Sequence, residues 1–284
     1  MVEHSLQGKA VMLTGAAGGF GRLLGAAFTA QGACVTAMDI DAAGLAALRE
    51  SLPADQHDRM LTPPGDIADY AACEAAVART KERFGGVHIL INNAAMGMRA
   101  VRTDFMQRVG GIDEIAPELW QRFVAVNLSG AWNMTRAVFP HMREQAWGRI
   151  IDITTSFRSM LRAGFHPYGP TKAGLEAMAA GHAVEFAGTG ITVNVVIPGG
   201  AADTPMMPPE SGFAREDLIP PGVMVPPILW LCSSAADGLT GNRYIARNWD
   251  AELAPETTEQ QCRAPIAWPD LTTNFVEPMA KKAH

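Results

Sequence analysis

The chain has 284 residues, 48% of them apolar and 18% charged, with a net charge of −6. It is long enough to bury a sizeable core, and its acidic balance speaks against a nucleic-acid partner, which would need a basic patch. No apolar run approaches the roughly 18 residues of a membrane span, Met1 to Gly8 shows no secretory pattern, and the four scattered cysteines have no paired spacing for a metal or a redox couple. No membrane and no metal are expected, and the chain reads as cytoplasmic with reduced thiols.

Ala10 to Leu13 is a short apolar strand that runs into a glycine-rich turn, after which Leu23, Leu24, Ala27 and Phe28 fall at helical spacing over Gly19 to Gln31. Cys34 to Met38 reads as a second strand closed by Asp39, and Ala42 to Leu52 as a helix. Met60-Leu61 begins a third strand ahead of Pro63-Pro64 and Asp66. Tyr70 to Phe84 is helical, and Gly85-Gly86 stops it. Val87 to Ile91 is a fourth strand leading into Asn92-Asn93-Ala94-Ala95. Pro117 opens a helix that runs to about Gln145, with a bend at Pro140. Arg149 to Ile153 is a fifth strand, Tyr168 to Ala187 a helix and Ile191 to Ile197 a sixth strand. Pro226 to Ser234 is a last short helix and Arg243 to Ala246 a seventh strand.

Strands apolar on both faces and separated by helices imply a parallel sheet covered on both sides. The expectation is an α/β fold, a doubly wound seven-stranded parallel sheet of Rossmann type, whose ligand binds at the carboxyl ends of the strands. Residues 1–250 read as one domain and 251–284 as a polar, proline-bearing tail expected to be loosely ordered. The stretch from Gly97 to Ala116 reads as an irregular loop.

Glycines at 15, 18, 19 and 21, with Phe20 among them, follow strand one and open the first helix. Glycine there lets the backbone turn tightly and approach a pyrophosphate set against the free N–H groups of the helix start. Asp39, followed by Ile40, lies about twenty residues on, where a carboxylate accepts from a ribose 2′-hydroxyl and repels a 2′-phosphate; these features favour NAD over NADP. The alternative for Asp39 is a helix cap ahead of Ala42. Tyr168 and Lys172 are four apart and share a helix face. A cation beside the phenol favours the phenolate and lowers its pKa from about 10, which suits proton exchange with an alcohol or ketone. A surface Tyr and Lys is the bland alternative.

Thr14 to Gly21, Asn92 to Ala95, Asn127, the Tyr168/Lys172 pair and Pro198-Gly199 together resemble, in order and spacing, the short-chain dehydrogenase/reductase family over roughly residues 5 to 247. The resemblance implies Tyr168 as general acid or base, Lys172 lowering its pKa and holding the nicotinamide ribose, and Asn127 anchoring a water in a proton relay. It implies Asp66 and Ile67 near the adenine, Asn93-Ala94-Ala95 along the cofactor, and the segment from Pro198 and Gly199 closing over the nicotinamide. The family's serine falls at Thr155, with Ser156 its rival. The carboxamide-binding threonine falls at Asp203, and one extra loop residue would give the role to Thr204. Ala95 stands where glycine is usual, and the closing glycine pair after the last strand is missing.

Met206, Met207, Pro208, Pro209, Phe213 and Met224 read as a soft apolar lid. Arg158 and Arg162 either fork onto a substrate carboxylate or are solvated loop residues. The substrate expected is a small secondary alcohol or its ketone with an apolar part. A fold-retaining NAD(H) sensor or scaffold is the competing reading, and a sugar-nucleotide epimerase would need a longer C-terminal domain. The resemblance further implies a homotetramer or homodimer, formed through the helices after Trp120 and after Tyr168, with Ala173, Ala177 and Ala180 on a close-packing face. Trp268 and Phe275 of the tail are expected over a neighbour's pocket.

Overall fold

A computed structural model describes residues 6–269 of the chain. Eight strands form one sheet in the order β3-β2-β1-β4-β5-β6-β7-β8. They are β1 (Ala10–Thr14), β2 (Cys34–Met38), β3 (Met60–Leu61), β4 (Ile89–Asn92), β5 (Gly148–Ile153), β6 (Ile191–Ile197), β7 (Asn242–Ile245) and β8 (Arg263–Pro265). All pairings are parallel except β7 with β8. The fold is the doubly wound Rossmann type, with an added antiparallel edge strand.

The central strands β1 and β6 are buried along their whole length, so each needs apolar cover on both faces. Helices α1 (Gly19–Ala30), α2 (Ala42–Glu50) and α8 (Val225–Leu231) cover one face. The other is covered by α3 (Tyr70–Phe84), α5 (Ala131–Glu144) and α7 (Tyr168–Glu185). Strand order reverses between β1 and β4, and the loops leaving these strands diverge there to open a crevice.

Two sequence expectations change. The helix opened by Pro117 is not continuous: α4 (Pro117–Val124) and α5 flank a π-helical turn over Ala125–Gly130, while Pro140 lies inside α5. Apolar periodicity does not register a single inserted residue, the usual origin of such turns. The stretch after residue 250 is not a loose tail throughout. Pro255 opens α9 (Pro255–Cys262), and β8 then pairs with β7. The pairing satisfies an edge that would otherwise present unpaired backbone groups, and Tyr244 Oη donates to Glu259 Oε1 at 2.8 Å to anchor α9.

β7 also carries a buried charge. Arg243, 3% exposed, pairs with Glu176 of α7, which is fully buried. Arg243 Nη2 donates to the Thr155 carbonyl at 2.6 Å, and its guanidinium lies 4.1 Å over the Phe157 ring. Glu176 accepts in addition from the Thr154 hydroxyl and from the Ala267 amide. Removing one member leaves a buried charge alone. Arg243→Met is expected to lose about 3–5 kcal/mol of stability in urea unfolding. The Arg243→Met, Glu176→Met double variant should lose less than that single variant, and an equal or larger loss would show that the ion pair is not the source.

Candidate active site

A cavity of about 960 Å³ opens at the carboxyl ends of the strands. Gly15, Gly18, Gly19, Phe20, Asp39, Asn93, Ala94 and Ala95 line one end, with Pro198 and Thr204 opposite. Thr155, Ser156, Tyr168 and Lys172 open onto the same space.

The turn after β1 is locked to the turn after β4. Thr14 Oγ1 accepts from the Asn93 and Ala94 amides, and Asn93 Nδ2 donates to the Thr14 and Gly15 carbonyls at 2.9 Å. Gly15 sits at φ +65, and a Cβ there would lie 2.7 Å from Ala94 Cα. A Cβ on Gly21 would overlap the Gly15 carbonyl oxygen. Gly18, which precedes α1, offers no side-chain cap, so the first N–H groups of this helix stay open to an anion. Asp39 Oδ2 accepts from the Ala17 amide and Oδ1 from the Asp41 amide, each at 3.0 Å. Capping of α2 falls to Asp41, whose carboxylate accepts from the Gly44 amide. The Asp39 carboxylate lines the cavity with one amide on each oxygen and acceptor capacity left on both, and these residues form a fitting cradle for a dinucleotide.

At the other end, Thr155 and Tyr168 line the cavity together, near enough for the Thr155 side chain to act on the phenol. Ser156 is committed elsewhere: its Oγ accepts from the Ser159 amide at 3.1 Å and caps α6 (Phe157–Met160). Lys172 is 2% exposed, and its Nζ donates to the Ile153 carbonyl at 2.7 Å. The expected lowering of the phenol pKa by this ammonium is not what the geometry gives. Burial pushes Tyr168 above its ordinary value, and the Thr155 side chain opposes that shift. Burial also lowers Lys172 to about 8, opposed by the charge of Asp152.

Asp152 was not singled out from the sequence. It is fully buried, stands opposite Asn92 in the β4–β5 register and accepts from Asn92 Nδ2 at 2.7 Å. Its Oδ2 has no hydrogen-bond partner among the described residues, and burial raises it to about 6, against the Asn92 hydrogen bond and the Lys172 charge. An acidic residue in an otherwise apolar strand was its only signal.

Several expected site residues lie off the cavity wall. Asn127, in the π turn, is 1% exposed; its Oδ1 accepts from the Met96 amide and its Nδ2 donates to the Met96 carbonyl and to Thr171 Oγ1. Its side chain pins the segment after β4. The Asp66 carboxylate pairs with Arg122 at 2.6 Å and accepts from the Ala68 amide. Ile67 is buried against Gly130, and Ile40 is exposed. Gly199, at φ +93, is packed against the Arg247 side chain. Asp203 turns away to pair with Arg215, whereas Thr204 meets the cavity and would lie 3.0 Å from a Cβ on Gly19.

Met206, Met207 and Phe213 line the cavity, but Met224 is fully buried in the core beside α8 and is no part of a lid. The loop 97–116 supplies a wall that the sequence did not reveal. Met98 and Phe105 are buried, and Phe105 meets Phe165 edge-on at 6.0 Å. Trp268 lies tilted against Phe157 of its own chain, ring centroids 5.9 Å apart; Phe275 lies outside the described residues. All four cysteines are free thiols. No helix among the described residues is long and apolar enough to cross a membrane.

The family described as "short chain dehydrogenase" matches residues 9–212. Over 202 residues the chain is 37% identical to the (2S)-[(R)-hydroxy(phenyl)methyl]succinyl-CoA dehydrogenase subunit BbsD of Thauera aromatica, covering 71% of this chain and 76% of that one. It is 32% identical over 194 residues to the D-beta-hydroxybutyrate dehydrogenase of Cupriavidus necator, covering 68% and 71% of the two chains. Among solved structures, the 3-ketoacyl-(acyl-carrier-protein) reductase of Brucella melitensis complexed with NADH superposes with a TM-score of 0.73 at 29% identity, covering 84% of this chain and 96% of that one.

The Asp152–Lys172 pair sets a pH dependence. Lys172 binds its proton less tightly folded than unfolded, so its charge destabilises below about pH 8, and that cost fades as pH rises from 8 toward its ordinary 10.5. Asp152 is the reverse: its cost is absent below 3.8 and grows as pH rises to about 6. The pair therefore contributes least between about pH 6 and 8. Asp152→Asn removes the charge that holds Lys172 up, so the alkaline recovery should start at lower pH in a melting-temperature series. An unchanged onset would mean that the two groups are not coupled.

Proposed function

The chain belongs to the short-chain dehydrogenase/reductase family, and we propose that it is an NAD-dependent oxidoreductase interconverting a secondary alcohol and its ketone. The observation that carries this reading is a single cavity whose wall brings Thr155, Tyr168 and Lys172 together with the glycine turn and Asp39. The relatives' names, a hydroxy(phenyl)methylsuccinyl-CoA dehydrogenase and a hydroxybutyrate dehydrogenase, support the alcohol–ketone class.

The residues divide the work. Thr155 and Tyr168 hydroxyls hold the substrate oxygen, and Tyr168 Oη takes its proton in oxidation or returns one in reduction. Lys172, on the same cavity wall, would hold the nicotinamide ribose. Thr155 carries the same donor and acceptor as serine, and its branched side chain has fewer rotamers to lose. Gly15, Gly18, Gly19, Phe20, Asn93, Ala94, Ala95, Pro198 and Thr204 would hold a nicotinamide dinucleotide, with Gly21 and Gly199 shaping its turns and Asp66, Ile67 and Ile40 behind the adenosine end. Bound there, it would supply the two-electron acceptor or donor for the substrate carbon. Asp39 favours NAD because its carboxylate would accept from the ribose hydroxyl and repel a 2′-phosphate. Exposed Trp120 and Trp132, on α4 and α5, support a homo-oligomer built through that face.

Tyr168→Phe should leave NADH binding nearly intact and cut turnover at least about a hundredfold. Full activity would discard the mechanism, and NADH binding by the unaltered protein without turnover across a broad alcohol and ketone panel would favour a sensor. Asp39→Ala should narrow the ratio of kcat/KM with NAD to that with NADP by about tenfold or more. An unaltered ratio would remove Asp39 from cofactor choice.

A further inference from the structure

The charges around the cavity are unequal. Four cationic residues line it, namely Arg99, Arg158, Arg162 and Lys172, against one acid, Asp39. That acid stands at the glycine-turn end with both oxygens on backbone amides. The Tyr168 end has no carboxylate in its lining, in a chain whose net charge is −6. Neighbouring arginines close on acids: Arg102 on Asp104 and Glu114, Arg215 on Asp203, Arg243 on Glu176. Asp203 and Glu210 line only an adjoining outer hollow. The guanidinium groups of Arg158 and Arg162 have no ion pair or hydrogen bond among the described residues.

Their placement is defined. Ser156 caps the turn of α6 that carries Arg158. The Arg162 guanidinium lies 4.9 Å over the Phe165 ring, and Phe165 belongs to a buried cluster with Met98 and Phe105 against which Tyr168 packs. One aromatic ring thus separates a cation without an acid partner from the phenol. The same cluster, with Met207, offers the apolar surface between them. A guanidinium stacked on an aromatic face keeps its edge N–H groups for a planar oxyanion.

We propose that Arg158 and Arg162 form an anion subsite, so that the substrate is a secondary alcohol or ketone carrying an oxyacid group, carboxylate or phosphate, beyond a short apolar spacer. The substrate's reacting carbon lies at Thr155 and Tyr168, its spacer on Met98, Phe105 and Met207, and its anionic end on the two arginines. This assignment rests on the oxidoreductase reading for the reacting carbon and on the two guanidiniums for the anion.

The test separates the two. Full-length protein saturated with NADH is titrated calorimetrically with heptanoate, heptyl phosphate and neutral heptanamide. At least one anion should bind about tenfold or more tightly than the amide, the scale of a charge-assisted hydrogen-bonded contact. The preference should collapse to about twofold or less in the Arg158→Met, Arg162→Met double variant. Which anion binds more tightly tells carboxylate from phosphate. Equal affinity of all three ligands for the unaltered protein overturns the subsite, as does a preference that survives in the double variant. Turnover of 6-hydroxyheptanoate, whose secondary alcohol and carboxylate are separated by four methylenes, and of its amide with NAD is read alongside. Equal kcat/KM for both refutes the anion subsite while the oxidoreductase reading stands. An anion preference in binding with no turnover of either compound supports the subsite and counts against the oxidoreductase reading.

Discussion

An ammonium group in the interior is the constraint around which the reactive end of the cavity is built. Burying such a charge alone costs several kcal/mol, so Lys172 persists only where something compensates it. The compensation comes from the Ile153 carbonyl at the end of β5 and from the negative charge of Asp152 one residue earlier. Tying Nζ to Ile153 draws the first turns of α7 against the tip of β5. Tyr168, one turn before Lys172, is thereby set beside Thr155, two residues past Ile153. One contact of 2.7 Å fixes both the cation and the placing of the two hydroxyls.

That arrangement also explains why the phenol in this state is raised and not lowered. Residues four apart share a helix face, but a shared face does not decide which oxygen the amine chooses. Lys172 bonds a backbone carbonyl, and Tyr168 is left with burial and Thr155. Among the groups around it, Thr155 is the one that offsets burial and favours the ionised phenol that proton exchange requires.

Most of the fold was legible because its strands are buried on both faces and its helices are punctuated by residues with a clear physical role. The limits of α3 agree with the sequence reading because the Asp69 carboxylate accepts from the Ala71 amide at one end and Gly85 takes φ +80 at the other. The π turn was not legible, since one inserted residue leaves the apolar spacing of α4 and α5 intact on either side. Strand β8 was not legible either: Arg263-Ala264-Pro265 shows no alternation, and its place is set by the open edge of β7. Between Thr155 and Ser156, and between Asp203 and Thr204, the sequence left a choice in which one member of each pair meets a competing partner. Ser159 takes Ser156, and Arg215 takes Asp203.

The loop 97–116 shows how a charged stretch can present an apolar wall. Its Arg102, Asp104, Arg108 and Glu114 pair with one another on the outside. Exposed pairs of this kind add little stability, but they occupy four of the loop's charges among themselves, and Met98 and Phe105 turn inward. Across the cavity, Arg243 and Glu176 achieve the opposite inside the core. Their burial is costly, and an apolar pair of similar volume would often be as stable. What the ion pair gives instead is direction: Arg243 donates to the Thr155 carbonyl, while Glu176 binds the Thr154 hydroxyl and the Ala267 amide. The segment that follows β8 and the residue that meets Tyr168 are therefore held by the same two side chains. Glu176 and Arg243 thus join the C-terminal segment to Thr155 through an unbroken set of buried contacts.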